Sequence, residues 1–413
     1  MIDIKLLREN PEKVKKACEN KQAKVDIDQV IELDKKRREL IQEIEKLRAE
    51  QKKLGKDQIE QAKNLKNKIK ELEPELEKAE LNFNILFSQI PNIPLDDVLV
   101  GKDASENKVL REVGKKPNFN FKPKDYLEIA EKLDIIDIKR AGKVSGSRFG
   151  YIKGELAMLE FGLIQLAMDI AKKQGFIPMI PPVMIKPEMM KAMGYVERGG
   201  DEIYYFDKDD LYLTGTSEQS IGPMYADEIF EEKDLPKRYI AFSTCFRREA
   251  GSYGKDTKGI LRVHQFDKVE MFIFSKPEDS QREHELILSI EEKLMKELKI
   301  PYRVMSICTG DLGDPAAKKY DIEAWMPGQN EYRETHSASN CTDFQARRLN
   351  IKHKPKNQIS NVKTGYVHTL NGTAFAIGRT LIAIIENYQQ KDGSIKVPKV
   401  LRKYTGIKCI TTK

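Results

Sequence analysis

Cysteine is scarce in this chain. The five present (Cys18, Cys245, Cys308, Cys341 and Cys409) are scattered through 413 residues, with no C-x-x-C pair. That argues against a disulfide framework and against a thiolate-held structural zinc, and it fits a reducing cytosol, so a cytoplasmic location is expected. No run approaches the ~18 consecutive apolar residues of a spanning helix. The opening Met1-Ile2-Asp3-Ile4-Lys5 is neither a signal nor a transit peptide, so no membrane contact is expected. P-loop and G-x-G-x-x-G fingerprints are both missing, which excludes those two modes of nucleotide binding.

Charge is abundant. Charged residues make up 33%, and 72 Lys+Arg against 65 Asp+Glu leave a net charge of +7. A mildly basic chain is compatible with a nucleic-acid partner without requiring one. The length exceeds one ordinary core, so at least two domains are expected.

The first is helical. After a short lead-in to about residue 25, in which Asn10-Pro11 marks a helix start, apolar residues recur on a 3/4 repeat. Val30, Leu33, Leu40, Ile44, Leu47 and Leu54 follow it, broken only by Arg37 and Gln51. Ala62, Leu65, Ile69, Leu72, Leu76, Ala79, Phe83, Leu86 and Ile90 resume it. With Gly55-Lys56-Asp57 as the only break, the spacing predicts an antiparallel coiled-coil hairpin of two helices of roughly 28 residues, about 40 Å long. Pro74 falls inside the second helix, where it costs about 3 kcal/mol or bends the rod unless its turn is exposed. Basic clusters (Lys35 to Arg38; Lys52, Lys53 and Lys56; Lys63, Lys66, Lys68 and Lys70) suit an RNA backbone, although such a rod also serves as a scaffold or dimer seam.

From Pro91 to Pro123 proline and glycine replace periodicity, which reads as a linker merging into the edge of a second domain. The boundary is set at 1–105 and 106–413. Leu156 to Lys173 is an amphipathic helix stopped by Gly175, followed by a proline-bearing strand from Phe176 to Val183. Leu211 to Leu213 is a strand that turns at Thr214-Gly215-Thr216-Ser217-Glu218 into a helix, with Thr216 as its cap on the plainest reading. Residues 284–299 form a surface helix. Asp321 to Met326 and Arg333 to Asn340 are strands, and Tyr366 to Leu370 is a strand turned by Asn371-Gly372-Thr373-Ala374 into a helix from Phe375 to Tyr388.

The organising stretch is Ser243 to Glu270, a hairpin of Ile240–Phe246 and Leu261–Phe274 around a Gly-rich loop. Arg247, Arg248, Lys255, Lys258, Arg262 and Lys268 share it with Glu249 and Glu270. Arginine forks suit phosphate oxygens, and an acid among them suits an amine. Phe246-Arg247-x-Glu249, the loop, then Arg262-x-His264-Gln265-Phe266-x-Lys268-x-Glu270 resembles the second signature motif of class II aminoacyl-tRNA synthetases in its seryl-tRNA synthetase form. The helix and strand at 156–183 resemble the first motif, and the strand, turn and helix carrying Arg379 resemble the third. The arm, Thr216-Ser217-Glu218 and Glu334-Thr335-His336-Ser337 match the same family.

The resemblance implies an α+β fold: an N-terminal antiparallel helical hairpin, then an antiparallel β-sheet domain flanked by helices, acting as a homodimer. It implies activation of L-serine with ATP and Mg²⁺ and transfer to the 3′ end of tRNA(Ser), whose long variable arm the hairpin meets; charging of a selenocysteine tRNA is left open. Arg247, Glu270 and Arg379 would be catalytic. L-serine would meet Thr216, Ser217, Glu218, Glu270, Asn371 and Thr373. ATP would meet Arg247 and Arg248, Glu249 at the adenine amino group, Val263, and Phe266 on the ring. Arg262 and Arg379 would take its distal phosphates, with Glu334, Thr335, His336 and Ser337 alongside. Glu334 and Ser337 are hard oxygen donors suited to Mg²⁺ carried by the nucleotide. His336 on its own has no serine–acid partner set and reads as structural. A carrier-protein ligase of similar core would lack the arm. A non-catalytic descendant would have lost some of Arg247, Glu249, Glu270 or Arg379, and all four are present.

Overall fold

In the computed structural model the arm opens with two short helices, α1 (Ile4–Glu9) and α2 (Pro11–Asn20). The Asn10 side chain accepts from Lys13 N, so the Asn-Pro pair is the helix start its chemistry predicts. The heptad stretch forms α3 (Ile27–Lys53), capped by Asp26, and α4 (Ile59–Ser88), antiparallel to it. Residues 1–55, 57–197, 200–250, 258–354 and 364–412 are described. They divide into two compact units, Met1–Ile93 and Pro94–Lys413.

Val30, Leu40 and Ile44 of α3 and Ile69, Ala79 and Phe83 of α4 are buried within the first unit, where the two helices pack together. Both interruptions of its repeat have partners. The Arg37 guanidinium lies 4.5 Å from the Phe83 ring centre and pairs with the buried Asp34 at 2.9 Å, which also binds Arg8 and Arg38. Gln51 Nε2 donates across the helices to Ala62 O at 3.2 Å. Pro74 sits on an exposed turn and α4 runs through it.

The second unit is built on an eight-stranded sheet among the described residues. In chain order its strands are β1 (Lys108–Val113), β2 (Ile177–Met179), β3 (Lys237–Phe246), β4 (Gln265–Ser275), β5 (Tyr302–Ser306), β6 (Lys318–Met326), β7 (Glu331–Asn340) and β8 (His368–Ala376). They lie in the spatial order β1-β5-β6-β7-β8-β4-β3-β2, antiparallel except for β2 beside β3. Residues 94–105, grouped with the arm from sequence, are hydrogen-bonded here: Leu95 N donates to Ala317 O at 3.0 Å, and Thr309 N to Leu99 O at 2.9 Å.

Alternation along the strands sorts two faces. Val269, Met271 and Ile273 of β4, with Leu370 and Ala374 of β8, face a core shared with three helices. These are α5 (Gly154–Lys172), α8 (Ser280–Leu298) and α10 (Ile377–Tyr388), where α6 (Pro187–Met193), α7 (Glu218–Ile221) and α9 (Phe344–Leu349) complete the helices used below. Each fully buried Leu or Ile there contributes about 1.5–3 kcal/mol. On the opposite face Phe272 and Phe274 pack with Tyr239, Ile221, Ala346 and Leu349, and the polar residues between them line a cavity.

Helix α8 is the surface helix expected there: Ile287, Leu288, Ile290, Leu294, Met295 and Leu298 are buried against the sheet, and Glu285, Ser289, Lys293, Lys296 and Glu297 are exposed. One expectation is corrected: Asn371-Gly372-Thr373-Ala374 does not form a turn. Strand β8 continues to Ala376 because its pairing with β4 and β7 outweighs the local preference of Asn-Gly, and the helix starts at Ile377.

Candidate active site

A cavity of about 600 Å³ opens over the sheet face formed by β7, β8, β4 and β3. Period-two geometry points Lys268 and Glu270 of β4, Asn371 and Thr373 of β8, and Ser337 and Ser339 of β7 toward it. A bulge in the β4–β8 pairing brings Glu270 opposite Thr373 rather than Ala374. Thr216 and Glu218 enter from the start of α7, and Arg379 from the first turn of α10.

The hairpin β3–β4 forms as expected, but residues 258–264 are turns and bends rather than strand. They fold back under the cavity and bury Ile260 and Val263 in its lining. Lys255 of the loop lies outside the described residues. Arg247 N donates to His264 O at 3.0 Å, and its guanidinium Nε to Gly215 O at 3.2 Å, tying the hairpin to the strand before α7. That guanidinium stands 5.3 Å from the Phe266 ring centre. Arg262 reaches Glu249 at 3.6 Å, leaving an open slot edged by an arginine pair, a ring and an acid.

Arg379 pairs with Glu334 Oε2 at 3.2 Å and also donates to Glu334 O at 3.1 Å. Burial would push the Glu334 carboxyl up, but Arg379, Lys319 and Arg247 outweigh it and hold the group well below its usual range. Glu334 is therefore a carboxylate, and the Ser337 hydroxyl, which also lines the cavity, lies 3.4 Å from Thr373 Oγ1. These donors are hard oxygens, the kind a divalent cation on a nucleotide uses. Among the described residues no group of three or more His, Cys, Asp or Glu could hold a metal by itself, so the other ligands would have to come from the nucleotide and water.

At the acidic part of the cavity Glu270 is 1% exposed and forms a close ion pair with Lys268. Glu218 is 4% exposed and accepts from Tyr195 Oη. Burial first, then the charge of Glu270, pushes Glu218 up to about 7. Asn371 Nδ2 donates to Cys341 Sγ at 3.7 Å. The expected cap at Thr216 is not made: the N-cap of α7 is Ser217, without a side-chain cap bond, and Thr214, Thr216 and Ser217 hydroxyls are buried with no hydrogen-bond partner. Of these, the Thr216 hydroxyl is on the cavity wall, where a polar ligand could satisfy it.

Most residues expected at the site meet here, and three do not. Arg248 turns outward, its guanidinium 5.9 Å from the Tyr204 ring, because its backbone is pinned to Glu202 O. Ser217 is buried behind the wall, and His336 points into the opposite face, edge-on to Phe375 at 5.7 Å. Tyr195, Lys268, Lys319, Cys341 and Gln345 were not assigned to the site from sequence. Period two from Glu270 would have placed Lys268 on the same face; for the others no local pattern exists.

Two family models match the chain: the seryl-tRNA synthetase N-terminal domain over residues 1–94, and the tRNA synthetase class II core domain (G, H, P, S and T) over 204–388. The serine–tRNA ligase of Dictyoglomus turgidum is 47% identical with all of both chains covered. The chain belongs to the seryl-tRNA synthetase family. Among solved structures, the seryl-tRNA synthetase of Pyrococcus horikoshii, complexed with ATP, superposes with a TM-score of 0.93 at 43% identity over all of both chains. The cytoplasmic serine–tRNA ligase of Naegleria fowleri, in complex with AMP, gives 0.89 at 36% identity over 100% of this chain and 99% of the other. The family's two modules thus fall on the helical arm and on the sheet that carries the cavity.

Proposed function

We propose that this cavity performs both steps of serine–tRNA ligation, with the residue roles below. In the first step a serine carboxylate oxygen attacks the α-phosphorus of ATP. The P–O bond to the β-phosphate breaks, and pyrophosphate leaves. In the second, a ribose hydroxyl at the tRNA 3′ end attacks the seryl carbonyl carbon, and AMP leaves. No side-chain nucleophile is required, so position and charge supply the catalysis.

Arg247 holds the α-phosphate, where negative charge develops, and Phe266 stacks on the adenine in the slot between it and Val263. Glu249 accepts from the adenine amino group. Arg262 and Arg379 take the distal phosphates. Glu334 and Ser337 would hold Mg²⁺ on the nucleotide, which neutralises phosphate charge when bound. Glu270 receives the substrate ammonium, and Glu218, Thr216, Asn371 and Thr373 surround the rest of serine. The basic clusters on α3 and α4 hold the tRNA backbone. The exposed Phe161 and Met158 on α5, with Ile177 and Ile180 on and after β2, form an apolar face that a second copy would cover. The cytoplasm supplies all three substrates.

The observation that carries this reading is one cavity containing two buried carboxylates beside a set of arginines and the unsatisfied Thr216 hydroxyl. That hydroxyl and the acids, built for serine, would stay unpaired with alanine, and such sites discriminate by ~10⁴ or more. Serine-dependent ATP–pyrophosphate exchange is therefore expected to exceed alanine-dependent exchange by about that factor, with threonine excluded on size by a smaller one. Comparable exchange with alanine would refute the assignment of the pocket.

A further inference from the structure

Tyr195 follows α6 through Gly194, whose φ of +86° turns the chain, and lines the cavity. Its hydroxyl donates to Glu218 Oε1. The Gln345 side chain of α9 also lies beside Glu218. The orientation of that amide is fixed: Thr369 Oγ1 donates to Gln345 Oε1 at 2.7 Å, and Gln345 Nε2 reaches Met193 O at 3.3 Å. The amide therefore presents only its NH₂ to the carboxyl. Three segments far apart in sequence converge on one side chain that the reaction places against substrate.

We infer that Tyr195 is a positioning residue for serine recognition, its hydroxyl and the Gln345 amide together aiming the free part of the Glu218 carboxyl at the amino-acid subsite. The inference rests on the placement of serine between Glu218 and Glu270. Burial and the neighbouring Glu218 push the Tyr195 hydroxyl well above its usual range, so it is a donor at every working pH. The groups facing Glu218 are Glu270 and Lys268 from β4 and Tyr195 and Gln345 from their own segments, with the Cys341 thiol beside Tyr195. Burial and Glu270 raise Glu218, while the Tyr195 bond, Lys268 and the Gln345 amide pull it back, to about 7. As a carboxylate Glu218 adds a second negative charge beside the ammonium that Glu270 receives, and as an acid it does not, so serine affinity falls as pH drops through that value. Without the Tyr195 hydroxyl one lowering influence is gone, and the fall begins at higher pH.

Tyr195→Phe keeps the ring and removes only the donor. Serine and ATP KM and kcat are measured by pyrophosphate exchange between pH 6 and 9 for the wild type, Tyr195→Phe, Glu218→Gln and the double variant. Loss of a hydrogen bond to a charged group corresponds to a rise of about tenfold in serine KM, with ATP KM and kcat little changed. The acid limb of kcat/KM for serine is expected to move to higher pH in Tyr195→Phe and to vanish in Glu218→Gln. The double variant should match Glu218→Gln alone. An unmoved acid limb in Tyr195→Phe, or additive effects in the double variant, would overturn the role of Tyr195 while leaving the serine subsite standing. An unchanged serine KM in Glu218→Gln would overturn the subsite itself, and the inference with it.

Discussion

At the scale of single side chains, the proposed roles divide the labour of the cavity between Glu270 and Arg379. Glu270 is buried and already balanced by Lys268, so an arriving ammonium joins an existing ion pair rather than rescuing an isolated charge. Arg379 is partly open, tethered to Glu334, and free to engage polyphosphate. Glu270→Gln keeps the shape and removes the charge, so serine KM is expected to rise by about 10–100-fold while ATP KM changes little, the range set by losing a charged hydrogen bond. Arg379→Ala should do the reverse, raising ATP KM and slowing adenylate formation. Steady-state exchange with each substrate varied in turn measures both. Equal damage by both changes to both substrates would contradict the division.

At the scale of elements, the sheet's two faces compete for strand β8. Asn371 and Thr373 serve the cavity, and Gly372 between them lies against α8. A Cβ there would stand 2.1 Å from Ile287 Cγ2 and 2.8 Å from Glu291 Oε1. Gly372→Ala is therefore expected to push α8 off the sheet, lowering the melting temperature by several degrees, as a loss of about 1–3 kcal/mol does. Serine KM should rise as Asn371 and Thr373 shift. Ile287→Ala in the same chain should recover part of both, as followed by thermal melts and exchange assays. The elements themselves were largely legible. Heptads gave α3 and α4 to within a few residues, and β-branched runs gave β3, β4, β6 and β7, because those signals are local and the side chains that make them are the ones buried. The Asn-Gly at 371–372 misled because its turn preference is also local, whereas the two neighbouring strands that hold it extended come from elsewhere in the chain. Tyr195 and Gln345 were illegible for the same reason: nothing near them in sequence tells that both end at Glu218.

Across the whole molecule, the proposed roles in chemistry and in RNA holding are separated along the chain. The unit Met1–Ile93 carries heptads, the Asp34–arginine cluster and basic patches, and every cavity residue lies beyond it. Phosphate contacts from such patches are strongly salt-dependent. The most direct measurement is a pair of assays on one purified protein in which residues 27–90 are replaced by a short Gly/Ser linker. Serine-dependent pyrophosphate exchange is expected to remain near that of the full chain, while aminoacylation of tRNA collapses. The tRNA KM of the full chain should worsen steeply with added KCl, and the residual activity of the shortened chain should respond less. Undiminished tRNA charging by the shortened chain would contradict the account and leave the helical hairpin as a scaffold.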